Sequence, residues 1–311
     1  MNTEIFVNFK DKIVGNCTKI IVGKDDVIRR IAVCLVAGGH VLLEDLPGTG
    51  KTMLLRAFAK SIGGEFRRIQ FTPDLLPSDL TGINYYDRKK DDFVFRRGPL
   101  FANVVLADEI NRAVPRSQSA LLEAMEERQI SVDGTTHRLE EPYIVMATQN
   151  PIESYGTFPL PEAQLDRFFM KLSLGYMTEE QEKQVLKRTD SRVLVEELEQ
   201  VITSEELAAL RSEYHSVEVS DDVMNYIMSI ITATRTSAKL AYGVSARGSI
   251  ALMRASQITA AMDGRSYVIP EDVKDVAVPV LAHRISTISR SHLEPASFIR
   301  SLLDNIAVPL E

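Results

Sequence analysis

The chain has 311 residues, of which 45% are hydrophobic and 25% are charged, and its net charge is −7. This composition indicates a globular protein of one large domain or two moderate ones, and the acidic balance argues against a chain built throughout for nucleic acid. Cys17 and Cys34 lack metal-ligand spacing and are expected to be reduced, partly buried thiols. The sequence shows no disulfide framework, no signal-peptide pattern and no apolar run of roughly 20 residues, which predicts a cytoplasmic protein without a membrane span.

The first half of the chain alternates between helical and strand patterns. Helical spacing covers residues 1–40, interrupted by a turn at 21–24, and a further helix is expected at about 51–61. Short apolar segments predict five strands, at 41–44, 66–71, 104–107, 143–147 and 168–172. Short apolar strands separated by helices are typical of a parallel sheet that is covered on both faces. The predicted fold class is therefore α/β, with a five-stranded parallel sheet flanked by helices.

Two segments interrupt this alternation and are predicted to be hairpins. The first, at about 83–97, interleaves basic and aromatic side chains: Arg88, Lys89, Lys90, Arg96 and Arg97 among Tyr85, Tyr86, Phe93 and Phe95. Such a pattern can grip a single nucleic-acid strand, but neighbouring aspartates dilute the charge. The favoured interpretation is that the aromatic rings pack inward and the charges are solvated. The second hairpin, at 130–139, turns at Asp133-Gly134, which is a strong two-residue turn pattern.

After about residue 176 the strand patterns stop and helix starts follow one another. Thr203 to Glu206 form a capping box, Ser220 precedes two acidic residues as an N-cap, and Pro270 stands at a first helical position. The sequence therefore predicts two domains, an α/β domain at residues 1–176 and a smaller all-helical domain at residues 177–311.

A glycine-rich segment after the first predicted strand has the context of a phosphate-binding loop. It reads Pro47-Gly48-Thr49-Gly50-Lys51-Thr52 and opens the predicted helix. Gly48 and Gly50 allow backbone N–H groups to converge on phosphate oxygens, and the helix N-terminus adds positive potential. Lys51 is expected to reach the β- and γ-phosphates, and the Thr52 hydroxyl is expected to bind Mg²⁺. Asp45 stands where the strict form of the motif has glycine.

Polar residues at the ends of two later strands complete this pattern. Asp108 and Glu109 follow an apolar strand, so Asp108 can hold Mg²⁺ through its water shell while Glu109 polarises an attacking water. The alternative is that the two acids only cap the next helix. Asn150 closes the following strand, where its amide can position water, although an asparagine before proline also begins turns.

Four motifs in this order resemble the MoxR group of AAA+ ATPases. They are the segment 47–52, then Asp-Glu-Ile-Asn-Arg-Ala at 108–113, Ala-Thr-Gln-Asn-Pro at 147–151 and Leu-Pro-Glu-Ala-Gln-Leu-Asp-Arg-Phe at 160–168. The resemblance covers nearly the whole chain. It implies a P-loop AAA+ core with a helical lid, ATP or ADP with Mg²⁺ as the bound ligands, and a homo-oligomeric ring, for which a hexamer is the family expectation.

The resemblance also implies roles for individual residues. Asn150 falls at the sensor 1 position, Arg167 at a finger that reaches the neighbouring subunit's site, and Arg247 at sensor 2, which touches the phosphate of its own chain's nucleotide from the lid. The implied nucleotide-binding residues are Val22 and Gly23, which cradle the adenine, with Pro47, Gly48, Thr49, Gly50, Lys51, Thr52, Met53 and Arg247. Arg112, Arg116 and Arg254 remain alternatives for the arginine contacts. The two hairpins resemble the helix-2 insertion of this clade and the hairpin before sensor 1.

Three functions are compatible with such a site. The resemblance implies a chaperone-like ATPase that remodels or activates a partner protein, often one with a von Willebrand factor A domain, through a lid that closes on ATP. The alternative is a nucleic-acid motor of the helix-2-insert type, although nucleic acid is not the expected partner. A nucleotide-gated scaffold with negligible turnover is disfavoured by Glu109, and a GTPase by the lack of an Asn-Lys-x-Asp signature.

Overall fold

The structure, a computed structural model, describes residues 1–44, 48–149, 157–187, 195–288 and 294–309. The helices of the described residues are α1 Glu4–Thr18, α2 Asp25–Val36, α3 Lys51–Ser61, α4 Pro77–Thr81, α5 Pro115–Glu127, α6 Glu162–Leu165, α7 Glu179–Lys187, α8 Ser204–Glu213, α9 Asp221–Thr236, α10 Ala246–Met262, α11 Pro270–Leu281 and α12 Pro295–Asn305. The strands are β1 Val41–Glu44, β2 Phe66–Gln70, β3 Gly82–Asp87, β4 Asp92–Arg97, β5 Val104–Asp108, β6 Gln129–Val132, β7 Thr135–Arg138, β8 Ile144–Gln149, β9 Met170–Leu172, β10 Leu240–Tyr242 and β11 Ser286–Thr287.

Five of the strands form one parallel sheet in the order β2-β5-β8-β1-β9, which confirms the predicted fold class. The central strands are apolar and buried because helices cover both faces of the sheet. In a parallel sheet of this kind, ligands bind beyond the carboxyl ends of the strands. The ends of β1, β5 and β8 therefore place the phosphate loop, the acidic pair and the sensor segment at one edge.

The two hairpins form where the sequence predicts them. β3 pairs with β4, and Gly82 at the base has φ 94°; a Cβ there would lie 2.2 Å from the Arg96 carbonyl oxygen. β6 pairs with β7 through Asp133 and Gly134, which both have positive φ as a two-residue hairpin turn requires. The second hairpin supports the first through a hydrogen bond of 2.8 Å from Asn84 to Asp133.

The expectation that the aromatic rings of the first hairpin pack inward is wrong for three of them. Phe95 does pack inward, stacked on His137 with ring centroids 4.2 Å apart. Phe93, Tyr86 and Tyr85 are 68%, 48% and 42% exposed. The physical reason is that β3 and β4 form their own two-stranded sheet, separate from the five-stranded one, and these three rings belong to neither of the two described apolar clusters.

The C-terminal part is helical, as predicted, with one addition. Thr203 and Ser220 accept the capping hydrogen bonds, and α11 begins at Pro270. β10 and β11 form a small antiparallel ribbon that the sequence analysis did not predict, because two- and three-residue strands carry no alternation pattern. The division at residues 176 and 177 stays a prediction. One buried apolar cluster contains side chains from α1–α3 and from the C-terminal helices, including Phe9 and Ile258.

Two remaining sequence expectations concern the cysteines and the membrane. Cys17 and Cys34 are free and buried, and burial raises the pKa of Cys17 to about 11. Among the described residues, none of the helices combines the length and apolar character that crossing a bilayer requires.

Candidate nucleotide-binding site

The phosphate loop lies at the start of α3, as predicted. Gly48 has φ 85° and Gly50 has φ 89°, a left-handed conformation that glycine adopts without steric cost. Among the described residues, and apart from each glycine's two chain neighbours, no atom lies within 4 Å of a Cβ built on either residue, so the backbone conformation favours glycine here. Six consecutive residues of this segment, 48–53, line a cavity of about 380 Å³. Pro47 lies outside the described residues.

The acidic pair lies across this cavity from the loop. Asp108 and Glu109 both line it, together with Thr148 and Gln149 at the end of β8. The Thr148 hydroxyl donates to Asp108 Oδ1 over 2.6 Å and accepts from the Glu109 N–H over 2.8 Å. Glu109 has φ 57°, a conformation that costs a residue with a side chain about 1–2 kcal/mol. Strain of this kind concentrates at functional sites, where the surrounding structure enforces it.

Both carboxylates are paired with guanidinium groups. Arg68 on β2 donates to Asp108 Oδ2 from Nη2 over 2.6 Å and from Nε over 3.1 Å. Arg112 donates to Glu109 Oε2 over 3.0 Å, and the Gln70 amide donates to the same oxygen over 2.7 Å. Arg68 and Gln70 line the cavity and were missed by the sequence analysis. The available sequence signal was that both are polar residues at the carboxyl end of a strand beside β5.

The donor set fits a Mg²⁺ ion. Thr52 supplies a hydroxyl and Asp108 a carboxylate to one cavity, and Mg²⁺ is bound by few protein oxygens, water and phosphate. Within the described ranges, no group of three or more His, Cys, Asp or Glu side chains could hold a metal ion by itself. Arg68 and Thr148 donate to the two Asp108 oxygens, so Mg²⁺ or its bound water at this carboxylate would share these oxygens with the two donors.

The structure brings Arg167 and Arg247 together, away from this cavity. Arg167 Nε lies 3.0 Å from Glu126 Oε2, and Arg247 Nη2 donates to Glu126 Oε1 over 2.6 Å. The described lining of the phosphate cavity contains neither arginine. The sequence analysis placed Arg247 at sensor 2, touching phosphate from the lid; in this structure its described partner is Glu126. Of the alternative arginines, Arg112 pairs with Glu109 of the acidic pair.

The predicted adenine cradle lies beside the N-terminus of α2. Val22 is 9% exposed, and Gly23 has φ 66°. A Cβ on Gly23 would lie 1.9 Å from Gln181 Nε2, so the turn packs closely on α7. Lys24 donates to the Tyr176 carbonyl over 3.1 Å. Neither Val22 nor Gly23 belongs to the described lining of the phosphate cavity, and Asn150 lies outside the described residues.

Two family models match the chain, one for the ATPase family associated with various cellular activities, at residues 40–170, and one for the AAA lid domain, at residues 232–303. YeaC of Bacillus subtilis is 48% identical over 96% of this chain and 95% of that protein. Chaperone MoxR1 of Mycobacterium tuberculosis is 39% identical over 97% of this chain and 83% of that protein. The chain belongs to the MoxR family of AAA+ ATPases. A crystal structure of a Cytophaga hutchinsonii protein superposes with a TM-score of 0.89, at 36% identity over 99% of this chain and 98% of that one.

The MoxR family assignment confirms the resemblance.

Arg284, which the sequence analysis did not single out, binds the segment that contains Arg167. Arg284 is 9% exposed and follows α11. Its Nε donates to Asp166 Oδ1 over 2.8 Å, and its Nη2 donates to the Phe168 carbonyl over 2.6 Å. The Ser245 hydroxyl donates to the other Asp166 oxygen over 2.9 Å. Asp166 therefore joins the segment before β9 to two points of the helical part.

Proposed function

We propose that this MoxR-family chain hydrolyses ATP to ADP and phosphate with Mg²⁺. The observation that carries the proposal is that Lys51, Thr52, Asp108 and Glu109 line one cavity of about 380 Å³. A phosphate loop alone would account for nucleotide binding but not for hydrolysis. A second carboxylate beside it, held by a strained backbone, serves the activation of water.

The residues proposed for the site have distinct tasks, and Asn150, Val22 and Gly23 are proposed in addition to the described cavity lining. Lys51 and the backbone of the loop bind the β- and γ-phosphates, and Glu109 accepts a proton from the attacking water. Thr52 and Asp108 are the groups that would hold Mg²⁺, which supplies positive charge to the phosphate oxygens when it is bound. Asn150 orients the water. Val22 and Gly23 bind the adenine.

Arg167 and Arg247 are proposed to serve the neighbouring subunit. In this chain both side chains pair with Glu126 and lie outside the described phosphate cavity. A guanidinium that stabilises the charge of the γ-phosphate is worth about 10³–10⁵ in rate in other nucleotide hydrolases. Supplying both groups from the next subunit makes hydrolysis depend on assembly, which supports a homo-oligomeric ring, with a hexamer as the family expectation. For Arg247 this replaces the contact within one chain that the sequence analysis expected.

The output is proposed to be the remodelling or activation of a partner protein. The name of chaperone MoxR1, a relative of 39% identity, supports this class of function, and a partner with a von Willebrand factor A domain is one candidate. The tip of the first hairpin supplies exposed rings for such a contact, at Tyr85, Tyr86 and Phe93.

A nucleic-acid motor is the second candidate, because the exposed rings stand beside Arg88, Lys89 and Lys90, which are also exposed. The stimulation of the ATPase rate by added nucleic acid or protein distinguishes the two candidates. Stimulation of ATP hydrolysis by single-stranded DNA or RNA at physiological salt supports the motor. Stimulation by a protein partner alone supports the chaperone-like function.

The shared site is tested by measuring the ATPase rate against protein concentration for wild type, Arg167→Ala, and an equal mixture of Arg167→Ala with Glu109→Gln. The rate per subunit should rise with concentration and be lost in Arg167→Ala. The mixture should recover about one quarter of the wild-type rate, because in a closed ring of randomly mixed subunits half the sites keep Glu109 and half of those sites meet a neighbour that keeps Arg167. A rate that is flat with concentration and unchanged in Arg167→Ala contradicts the shared site.

The same mixture made with Arg247→Ala decides between the two placements of that residue. Recovery with Glu109→Gln subunits means that Arg247 acts on the neighbour. A loss of activity without recovery means that Arg247 acts on the nucleotide of its own chain.

A further inference from the structure

Glu126 connects two arginines that come from different parts of the chain. It lies in the last turn of α5 and divides its carboxylate between them. Arg167 follows α6, and its Nε lies 3.0 Å from Glu126 Oε2. Arg247 is in the first turn of α10, and its Nη2 lies 2.6 Å from Glu126 Oε1. Two guanidinium groups this close to one carboxylate repel each other, and the carboxylate between them offsets that repulsion.

The contacts hold the two side chains while leaving part of each accessible. Arginine has five N–H donors in a planar fork. Arg167 directs Nε to Glu126 and donates from Nη1 to the Leu122 carbonyl over 3.1 Å, so the base of its fork is fixed from two sides. The side chains of Arg167 and Arg247 are still 32% and 49% exposed. Groups that reach into another subunit need this combination of fixed orientation and access.

We infer that Glu126 is a positioning residue that holds Arg167 and Arg247 together as one two-armed finger for the γ-phosphate of the neighbouring subunit. This inference rests on the proposed shared site. It adds to that site a residue that touches neither nucleotide nor metal and acts through both arginines at once. Two arginines on one carboxylate also deliver their charges to the same phosphate in a fixed relative geometry.

The inference predicts a loss of kcat with little change in KM. The phosphate cavity of the same chain contains none of these three side chains among its described residues, so ATP binding is retained. Misplacement of a catalytic group by about 1 Å can cost roughly 100-fold in rate, and we expect Glu126→Gln to lower kcat by about tenfold or more. Glu126→Asp keeps the charge and should recover part of the loss. Glu127→Gln is the matched control, because it removes the same charge from the next residue, which is exposed.

Subunit mixing shows where Glu126 acts. A Glu126→Gln subunit has an intact phosphate cavity and misplaced arginines. A Glu109→Gln subunit has an inactive phosphate cavity and correctly placed arginines. Mixing the two should return activity toward about one quarter of the wild-type rate, by the same neighbour statistics as before. Sedimentation with nucleotide bound should show that Glu126→Gln assembles like wild type, as expected of a residue that only positions the finger.

A double-mutant comparison tests whether Glu126 acts through the arginines. In a background with Arg167→Ala and Arg247→Ala, replacing Glu126 by Gln should lower kcat no further, because the groups it positions are gone. A further loss by the same factor overturns the inference. So does the absence of recovery on mixing with Glu109→Gln, provided that Arg167→Ala recovers in the parallel mixture. If the Arg167→Ala mixture also fails, the shared site itself is refuted.

Discussion

Replacing Arg68 by glutamine should reduce the Mg²⁺ concentration that nucleotide binding requires. In the structure, the Arg68 guanidinium makes two contacts with Asp108 Oδ2, at 2.6 and 3.1 Å. Asp108 is the carboxylate proposed to hold Mg²⁺ together with Thr52. A metal that enters this position has to compete with a cation that is already there. Removing the guanidinium removes the competitor and leaves the carboxylate unchanged.

The expected size of this effect follows from the exposure of the pair. The Arg68 side chain is 49% exposed and the Asp108 side chain 15%. Exposed ion pairs contribute about 0.2–1 kcal/mol, which corresponds to a factor of about 1.5 to 5 in an equilibrium constant. The two-pronged geometry and the low exposure of the carboxylate favour the upper end of that range. We therefore expect the Mg²⁺ requirement to fall by about threefold to fivefold.

The assay is a Mg²⁺ titration of the binding of a fluorescent, non-hydrolysable ATP analogue, so that turnover does not enter the result. Arg67→Gln is the matched control. Arg67 is the preceding residue of β2, and its side chain pairs with Glu65 over 2.7 Å and does not belong to the described lining of the phosphate cavity. An unchanged or higher Mg²⁺ requirement in Arg68→Gln would refute the competition between guanidinium and metal.

Three further predictions concern single residues. Lys51→Ala should lose nucleotide binding in calorimetry, and tight ATP binding by this variant would exclude the loop assignment. Glu109→Gln should bind ATP and hydrolyse it far more slowly, whereas wild-type turnover would remove Glu109 from its role. Burial lowers the pKa of His40 to about 3; the positive charge of Arg128 also lowers it, while the hydrogen bond with the Met125 carbonyl acts in the opposite direction. Since the unfolded chain takes up the His40 proton first, this residue should lower the free energy of unfolding by up to about 1.4 kcal/mol per pH unit as the pH drops from 6.5 toward 3. His283, whose pKa burial also lowers, should add a fall of the same sign; a flat urea-denaturation profile between pH 6.5 and 5 would contradict the prediction for both.

The parts of the fold that the sequence predicted are those whose cause is local. Four strands of the parallel sheet carry short apolar runs, β2 is more polar, and the observed bounds of all five differ from the predicted ones by two residues at most. The phosphate loop was identified because the glycines, Lys51 and Thr52 are adjacent in the chain and need only a strand before them and a helix after them. The family and the fold class are confirmed, while the site residues and the domain boundary stay predictions.

The features that the sequence did not reveal depend on contacts between distant segments. Arg68 meets Asp108 because β2 pairs with β5 in register, across 40 positions of the chain. Glu126 meets Arg247 across 121 positions. An exposed acid near the end of a helix and a basic residue in an edge strand have no local pattern that separates them from solvated charges. The exposed rings of the first hairpin were misjudged for a related reason, because their burial depends on what the hairpin tip lies against.

The contacts around Asp166 bear on how the two-armed finger would move. Arg284 fixes the segment before β9 to the end of α11 by hydrogen bonds to Asp166 and to the Phe168 carbonyl. The next residue, Phe169, donates to the His40 carbonyl over 2.7 Å and so continues that attachment into the sheet. A buried arginine with its donors satisfied is costly to separate from its partners, and the apolar cluster shared by the N-terminal and C-terminal helices opposes the same separation. Closure of the helical part over the chain's own nucleotide would break these contacts. On the proposed shared site, the sheet edge and the helical part are therefore expected to move as one body, and nucleotide-dependent motion would occur mainly where the finger of one subunit meets the phosphate cavity of the next.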